Sequence, residues 1–435
     1  MALDTKEIEK EIQEQYMEDD NYRPWIVGFS GGKDSTMLLQ LVWTAIASLP
    51  EIYYKRHIYV VCNNTLVENP KIVEYTDKIL LKIEKAALVQ NIPLTIHKTI
   101  PRLEDTFWVN LLGKGYPAPN NLFRWCTERL KISPTTKFIV NKINEEGEAI
   151  ILLGTRSDES STRAKSIKKH EVKGRRLSKH MTLPNAHVYS PIKNVLIKDL
   201  WTYLQQVPSP WGANNKELVT LYQNANSGDC PLVIDTSTSS CGNSRFGCWV
   251  CTVVNRDKSL EALVANGEEW MIPLMELRDY LVNTRDLESV REVRRRNGQQ
   301  IEGVLGPYKP HFRAEFLEKL LVAQREIQAE QSDISLINYQ ELVAIQVTWY
   351  RDNIFSFNVA DIYNRVNGTN IEIETNDKVL EEKTLLKEIC KENPKDFELL
   401  NDLLALQKTR TILMNNRGLQ TDLENKLENH IQNHL

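Results

Sequence analysis

The 435-residue chain has no run of about 18 apolar residues, so neither a helical membrane span nor a membrane partner is expected. Its first segment, Asp4 to Asp20, is acidic and helix-like, without the apolar core of a signal peptide. Excess positive charge is also missing. At a net charge of −4 nothing pulls the whole molecule toward nucleic acid, and any such binding must come from local basic patches. A disulfide framework is absent from the pattern as well: seven cysteines, an odd number crowded partly into one region, fit a reducing compartment and a metal site. A cytoplasmic location follows as the expectation. No internal repeat or long low-complexity linker interrupts the chain, which is long enough for two or three domains.

What is present begins with Ser30-Gly31-Gly32-Lys33-Asp34-Ser35, preceded by apolar Trp25 to Phe29 and followed by a helical apolar pattern through Trp43. A strand, a glycine turn and a helix start make an anion site, because the turn approaches the ligand closely and the first helical N–H groups point at it. Ser30 and Ser35 add hydroxyl donors, and Lys33 adds a cation. This is not a Walker A loop, since Val27 stands where the first glycine belongs and Asp34 follows the lysine. The run instead resembles the PP-loop of ATP pyrophosphatases, which cleave ATP to AMP and pyrophosphate.

The first 210 residues alternate strand-like segments (58–62, 94–96, 149–153) with helix-like ones such as 71–89. That alternation predicts an α/β fold with a doubly wound parallel sheet, whose ligands sit beyond the carboxyl ends of the strands. Residues 30–35, 62–68 and 154–163 would gather there. The texture changes near residue 212, giving three expected regions: a nucleotide-binding domain at 1–211, a cysteine-rich region at 212–310, and a mainly helical region at 311–435. Arg291 to Arg296 form a basic run on a predicted helix.

Cys230, Cys241, Cys248 and Cys251 follow the spacing C-x10-C-x6-C-x2-C. Four thiolates so close together, ending in C-x-x-C, predict a four-cysteine metal site. Spacing alone leaves tetrahedral zinc and a [4Fe–4S] cluster open. Cys62 reads as a strand core residue and Cys390 as part of an apolar helical face.

With these features the chain resembles the DndC family, the 3′-phosphoadenylylsulfate-reductase-like component of bacterial DNA phosphorothioation, and its close SspD relatives. The resemblance covers roughly residues 20–310. It is carried by Ser30 to Ser35, Arg124-Trp125-Cys126-Thr127 with Lys131 and Pro134, Gly154 to Ser160 with Arg163, and the four late cysteines. It implies a PP-loop (HUP-like) fold, ATP and Mg²⁺, and a [4Fe–4S] centre rather than zinc. It implies further that ATP activates a DNA phosphate while a cysteine desulfurase supplies the sulfur that replaces a non-bridging oxygen. Other phosphorothioation proteins of the DndD and DndE types are the implied partners. A tRNA thiolation enzyme, a sulfonucleotide reductase and a non-catalytic ATP-binding scaffold are the alternatives. Against the reductase, the chain has no adjacent Cys-Cys pair.

On this reading the ATP-binding residues are Ser30 to Ser35 with Asn64, Thr65, Arg124, Lys131 and Arg156. Lys33 neutralises departing pyrophosphate, and Asp34 either helps hold Mg²⁺ or stabilises the helix N-terminus. Arg156 and Arg163 are suited to bidentate phosphate contacts, with Glu159 orienting one of them. Cys126, flanked by Arg124 and Arg129, is a candidate persulfide carrier with a depressed pKa, the alternative being a cluster-proximal cysteine without a covalent role. Lys165, Lys168, Lys169, Lys173, Arg175 and Arg176 are the candidate nucleic-acid contacts, the alternative being a solvated loop.

Overall fold

The computed structural model describes residues 3–18, 23–171, 174–224, 247–295, 300–352, 354, 357–371 and parts of 384–431. Cys230, Cys241 and Lys173, three of the candidate site residues, lie outside the described residues.

Six strands form one sheet: β1 (Trp25–Gly28), β2 (Ile58–Asn63), β3 (Leu94–Thr99), β4 (Ala149–Leu152), β5 (Ser178–Lys179) and β6 (Ala186–Tyr189). Their order is β3-β2-β1-β4-β6-β5, parallel throughout except for the β5–β6 pair. The apolar runs 25–29, 58–62 and 149–153 become strands because each is short, bounded by turns and covered on both faces. Alternation within β1 divides the core. Trp25 and Val27 face one side, with α1 (Thr5–Met17), α2 (Lys33–Ala47) and α3 (Pro70–Val89). Ile26 faces the other side, with Phe138 and Ile139 of α4 (Ser133–Glu146). Helix α2 is buried nearly all round from Ser35 to Ile46, as befits the helix leaving the central strand.

The chain leaves β1 toward β2 on one side and later returns to β4 on the other. The sheet therefore has a switch point between β1 and β4, where parallel α/β sheets open a crevice for ligands. Strand β6, beside β4, was not among the expected strands. Four residues following a left-handed Asn185 (φ 61°) give little periodic signal, and the two-residue β5 gives less.

The remaining described helices are α5 (Ser161–His170), α6 (Ile197–Gln206), α7 (Asn215–Asn224), α8 (Lys258–Ala265), α9 (Ile272–Thr284), α10 (Pro310–Glu330), α11 (Tyr339–Arg351) and α12 (Val359–Asn367). Two compact units result: residues 1–101 with 120–275, which hold the sheet, and 102–119 with 276–435. In the second unit buried Trp108 and Trp349 donate their indole N–H groups to Leu336 O (2.6 Å) and Leu112 O (2.7 Å). The basic run starting at Arg291 is not helical over its described residues. Arg291 is buried and spends its guanidinium on the carbonyls of Gly306, Arg285 and Leu305. No described helix is long and apolar enough to cross a membrane.

Candidate functional site

The loop after β1 is shaped by its own serines. Ser35 Oγ accepts from Ser30 N (3.2 Å) and donates to Gly32 O (3.0 Å), and the two hydroxyls lie 3.2 Å apart. Gly31 must be glycine: its φ is +71°, and an added Cβ would stand 2.5 Å from Thr76 Oγ1. Gly32 is the N-cap of α2 and brings no capping side chain of its own, so no group local to the loop covers the first-turn amides, the kind that suit an anion.

The charges beside this loop are arranged as a chain. Lys33 Nζ lies 3.1 Å from Asp34 Oδ2, while Asp34 Oδ1 accepts from Arg156 Nε at 2.6 Å. Burial pulls the Lys33 pKa down, but Tyr222 and Asp34 outweigh that and it ends raised, so the cation persists at neutral pH. Arg156 is only 2% exposed, and its Nη1 reaches Val195 O (3.1 Å) and Asp158 (3.4 Å). This corrects the expectation of a phosphate-contacting Arg156. Its guanidinium is turned inward, where a buried cation needs a carboxylate, and its partner in the loop is Asp34. Asp34 in turn has a cation at each oxygen, a poor fit for a Mg²⁺ ligand. Glu159 does orient an arginine, lying 3.4 Å from Arg163 Nε, and it also accepts from the Arg156 backbone N–H (2.7 Å). Gly154 brings the β4 loop against α2, because an added Cβ would lie 2.9 Å from Asp34 O.

A second group forms beyond β2. Glu68 bridges to Cys248, Trp249 N donates to Val67 O (3.1 Å), and Asn69 N donates to Gly247 O (3.3 Å). This pairing places the C-x-x-C turn, closed by Cys251 N to Cys248 O (3.0 Å), directly against the β2 loop. Thr65, expected at ATP, is fully buried with its hydroxyl 3.4 Å from Cys248 Sγ. Asn64 is spent locally, its Oδ1 accepting from Leu66 N at 2.9 Å. Lys131, expected at ATP, stands 3.7 Å from Glu68. Burial opposes its charge, but Cys248, Glu68, Cys126 and Cys251 together raise its pKa.

Cys126 belongs to this group. The expected depression of its pKa is overturned: burial pushes the thiol up, and Cys251 adds to the shift. Arg124 is exposed and donates to Asn121 Oδ1 (2.8 Å). Burial likewise pushes Cys248 up to about 11. Cys62 is buried in β2 as expected. Among the described residues no three Cys, His, Asp or Glu side chains stand together as a metal site. The soft thiols of the Cys248–Cys251 turn, with Trp249 buried beside them, suit an iron–sulfur centre or zinc.

The candidate nucleic-acid residues divide. Lys165, Lys168 and Lys169 are exposed on α5, at spacings of three and four that put them on one face. Arg175 is exposed, whereas Arg176 is engaged by Glu14 and lies 4.0 Å from Glu18.

Residues 24–254 match the family of the phosphoadenosine phosphosulfate reductase domain. An uncharacterized protein of Methanocaldococcus jannaschii is 28% identical over 229 residues, 53% of this chain and 36% of that protein. The chain thus spans about a third of that relative's length. Among solved structures, the phosphoadenylyl-sulfate reductase of Candida auris in a phosphate complex is 12% identical with a TM-score of 0.27, covering 50% of this chain and 92% of that one. The U34-tRNA thiolase NcsA of Methanococcus maripaludis, with its [4Fe-4S] cluster, is 15% identical with a TM-score of 0.27, covering 64% and 77%.

Proposed function

Because the chain belongs to the phosphoadenosine phosphosulfate reductase domain family, we propose that it consumes ATP to replace a non-bridging oxygen of a DNA phosphodiester with sulfur. One observation carries this reading: the anion loop after β1 and the thiol turn clamped to the β2 loop leave the same edge of the sheet from neighbouring strands. The resemblance to DndC and SspD supplies DNA as the substrate, and the exposed lysine face of α5 supplies local positive charge for a polyanion.

A phosphodiester oxygen leaves poorly, so the exchange needs activation. The DNA oxygen attacks the α-phosphorus of ATP and pyrophosphate departs, its charge met by the loop amides and Lys33. Asp34, fixed from behind by Arg156, keeps the Lys33 ammonium in place. Cys126 carries a persulfide sulfur from a cysteine desulfurase. Attack of the terminal sulfur on the activated phosphorus expels AMP together with the original oxygen. An external thiol then attacks Cys126 Sγ, breaking the S–S bond and leaving sulfur on phosphorus. A second thiol reduces the resulting mixed disulfide and restores Cys126. Cys248 and Cys251, with Cys230 and Cys241 from outside the described residues, would hold a [4Fe–4S] centre. Such a centre supplies electron transfer, sulfur or stiffness to the thiol turn. Lys131 and Glu68 keep that turn charge-compensated beside Cys126.

Pyrophosphate release from ATP is the test. Release stimulated by DNA is expected. Absence of release with or without DNA contradicts an enzyme and favours a scaffold, and stimulation by tRNA alone favours a tRNA thiolase.

A further inference from the structure

Tyr222, on α7, is far from the loop motif in sequence and was not among the expected site residues. Its ring is packed edge-on against Trp201, with centroids 5.1 Å apart at 76°, and the residue is 8% exposed. Its hydroxyl nevertheless reaches the anion loop. Lys33 N, the first helical amide of α2, donates to it at 3.4 Å, and a Cβ built on Gly32 would lie 3.3 Å from the same oxygen. Lys33 Nζ stands 5.3 Å from the centroid of the ring. A core aromatic thus presents its one polar atom at the amides that seat a phosphate.

We infer that the Tyr222 hydroxyl is a phosphate-contacting group of the nucleotide cradle, donating to a phosphate oxygen of ATP or pyrophosphate held by residues 31–35. This rests on the ATP reading of the loop and adds a binding residue to it. The chemistry is that of a hydroxyl rotor. Its oxygen accepts the Lys33 amide, and its proton turns toward an anion that arrives beside it. The ring cannot follow the ligand, because Trp201 and the surrounding core hold it. The hydroxyl is therefore pre-positioned, and little ordering is needed on binding. A hydrogen bond to a charged phosphate oxygen is worth more than one between neutral groups.

Tyr222→Phe keeps the ring and removes only the hydroxyl. Measured on the full chain by equilibrium titration with Mg-ATP and with pyrophosphate, both affinities should fall about 10- to 100-fold. Thermal unfolding without nucleotide should be nearly unchanged, showing that the variant is folded. Equal affinities for the two proteins would overturn the inference while leaving ATP binding itself intact. Failure of the unaltered protein to bind ATP or pyrophosphate would remove the ATP reading and this inference with it. As a second readout, 3-fluorotyrosine at position 222 should show a ¹⁹F shift change on adding pyrophosphate. An unmoved resonance at saturation also overturns the inference.

Discussion

Lys33→Ala is expected to lower ATP-dependent pyrophosphate release about 100- to 1000-fold, the range for losing one well-placed charge stabiliser. The fold should survive. Alanine is the best helix former, and Asp34 keeps its contact with buried Arg156 when the ammonium is gone. What disappears is a cation held beside the loop amides by a carboxylate that is itself anchored. Pyrophosphate release, followed by a coupled phosphate assay, checks this alongside thermal unfolding. Near-normal release from a folded variant would show that the loop is not the site where pyrophosphate departs.

Gly154→Ala is expected to damage the same site from the opposite strand. The backbone conformation at Gly154 suits any residue, so the obstacle is steric: the new Cβ would lie 2.9 Å from Asp34 O, 3.0 Å from Asp34 C and 3.2 Å from Ser35 N. These are backbone atoms of the first turn of α2 and cannot swing aside as a side chain would. Overpacking of this kind costs about 1–3 kcal/mol. It also displaces the residue that positions Lys33, and small misplacements at a reacting centre cost rates about 100-fold. Gly147→Ala is the control. Its φ of +84° makes alanine strained there, but no atom lies within 4 Å, so stability should fall with pyrophosphate release retained. Equal activity of the two variants would contradict the close approach of the β4 loop to the anion loop.

Much of this architecture could be read in advance. The four strands expected from apolar runs are β1 to β4, and the glycine turn does join β1 to a buried helix. Local patterning reports such elements because burial and turn chemistry act within a few residues. Partnerships across the chain were less legible. Arg156 and Asp34 are 122 residues apart, and only the fold shows that they meet and that the arginine faces inward. Thr65 lies in the expected loop but turns to Cys248, 183 residues away. Lys131 likewise meets Glu68, 63 residues away, by an arrangement no motif encodes. Tyr222 carried no signal at all, since a tyrosine on the apolar face of a helix reads as core, which its ring is.

The most direct test of the central claim is chemical analysis of the product. DNA is incubated anaerobically with the full chain, ATP, Mg²⁺, a cysteine desulfurase with cysteine, and a dithiol, then digested with nuclease and examined by mass spectrometry. The account predicts phosphorothioate-linked dinucleotides that require ATP and vanish with Lys33→Ala. Sulfur found on nucleobases instead of the backbone, or phosphorothioate formed equally without ATP, would contradict it.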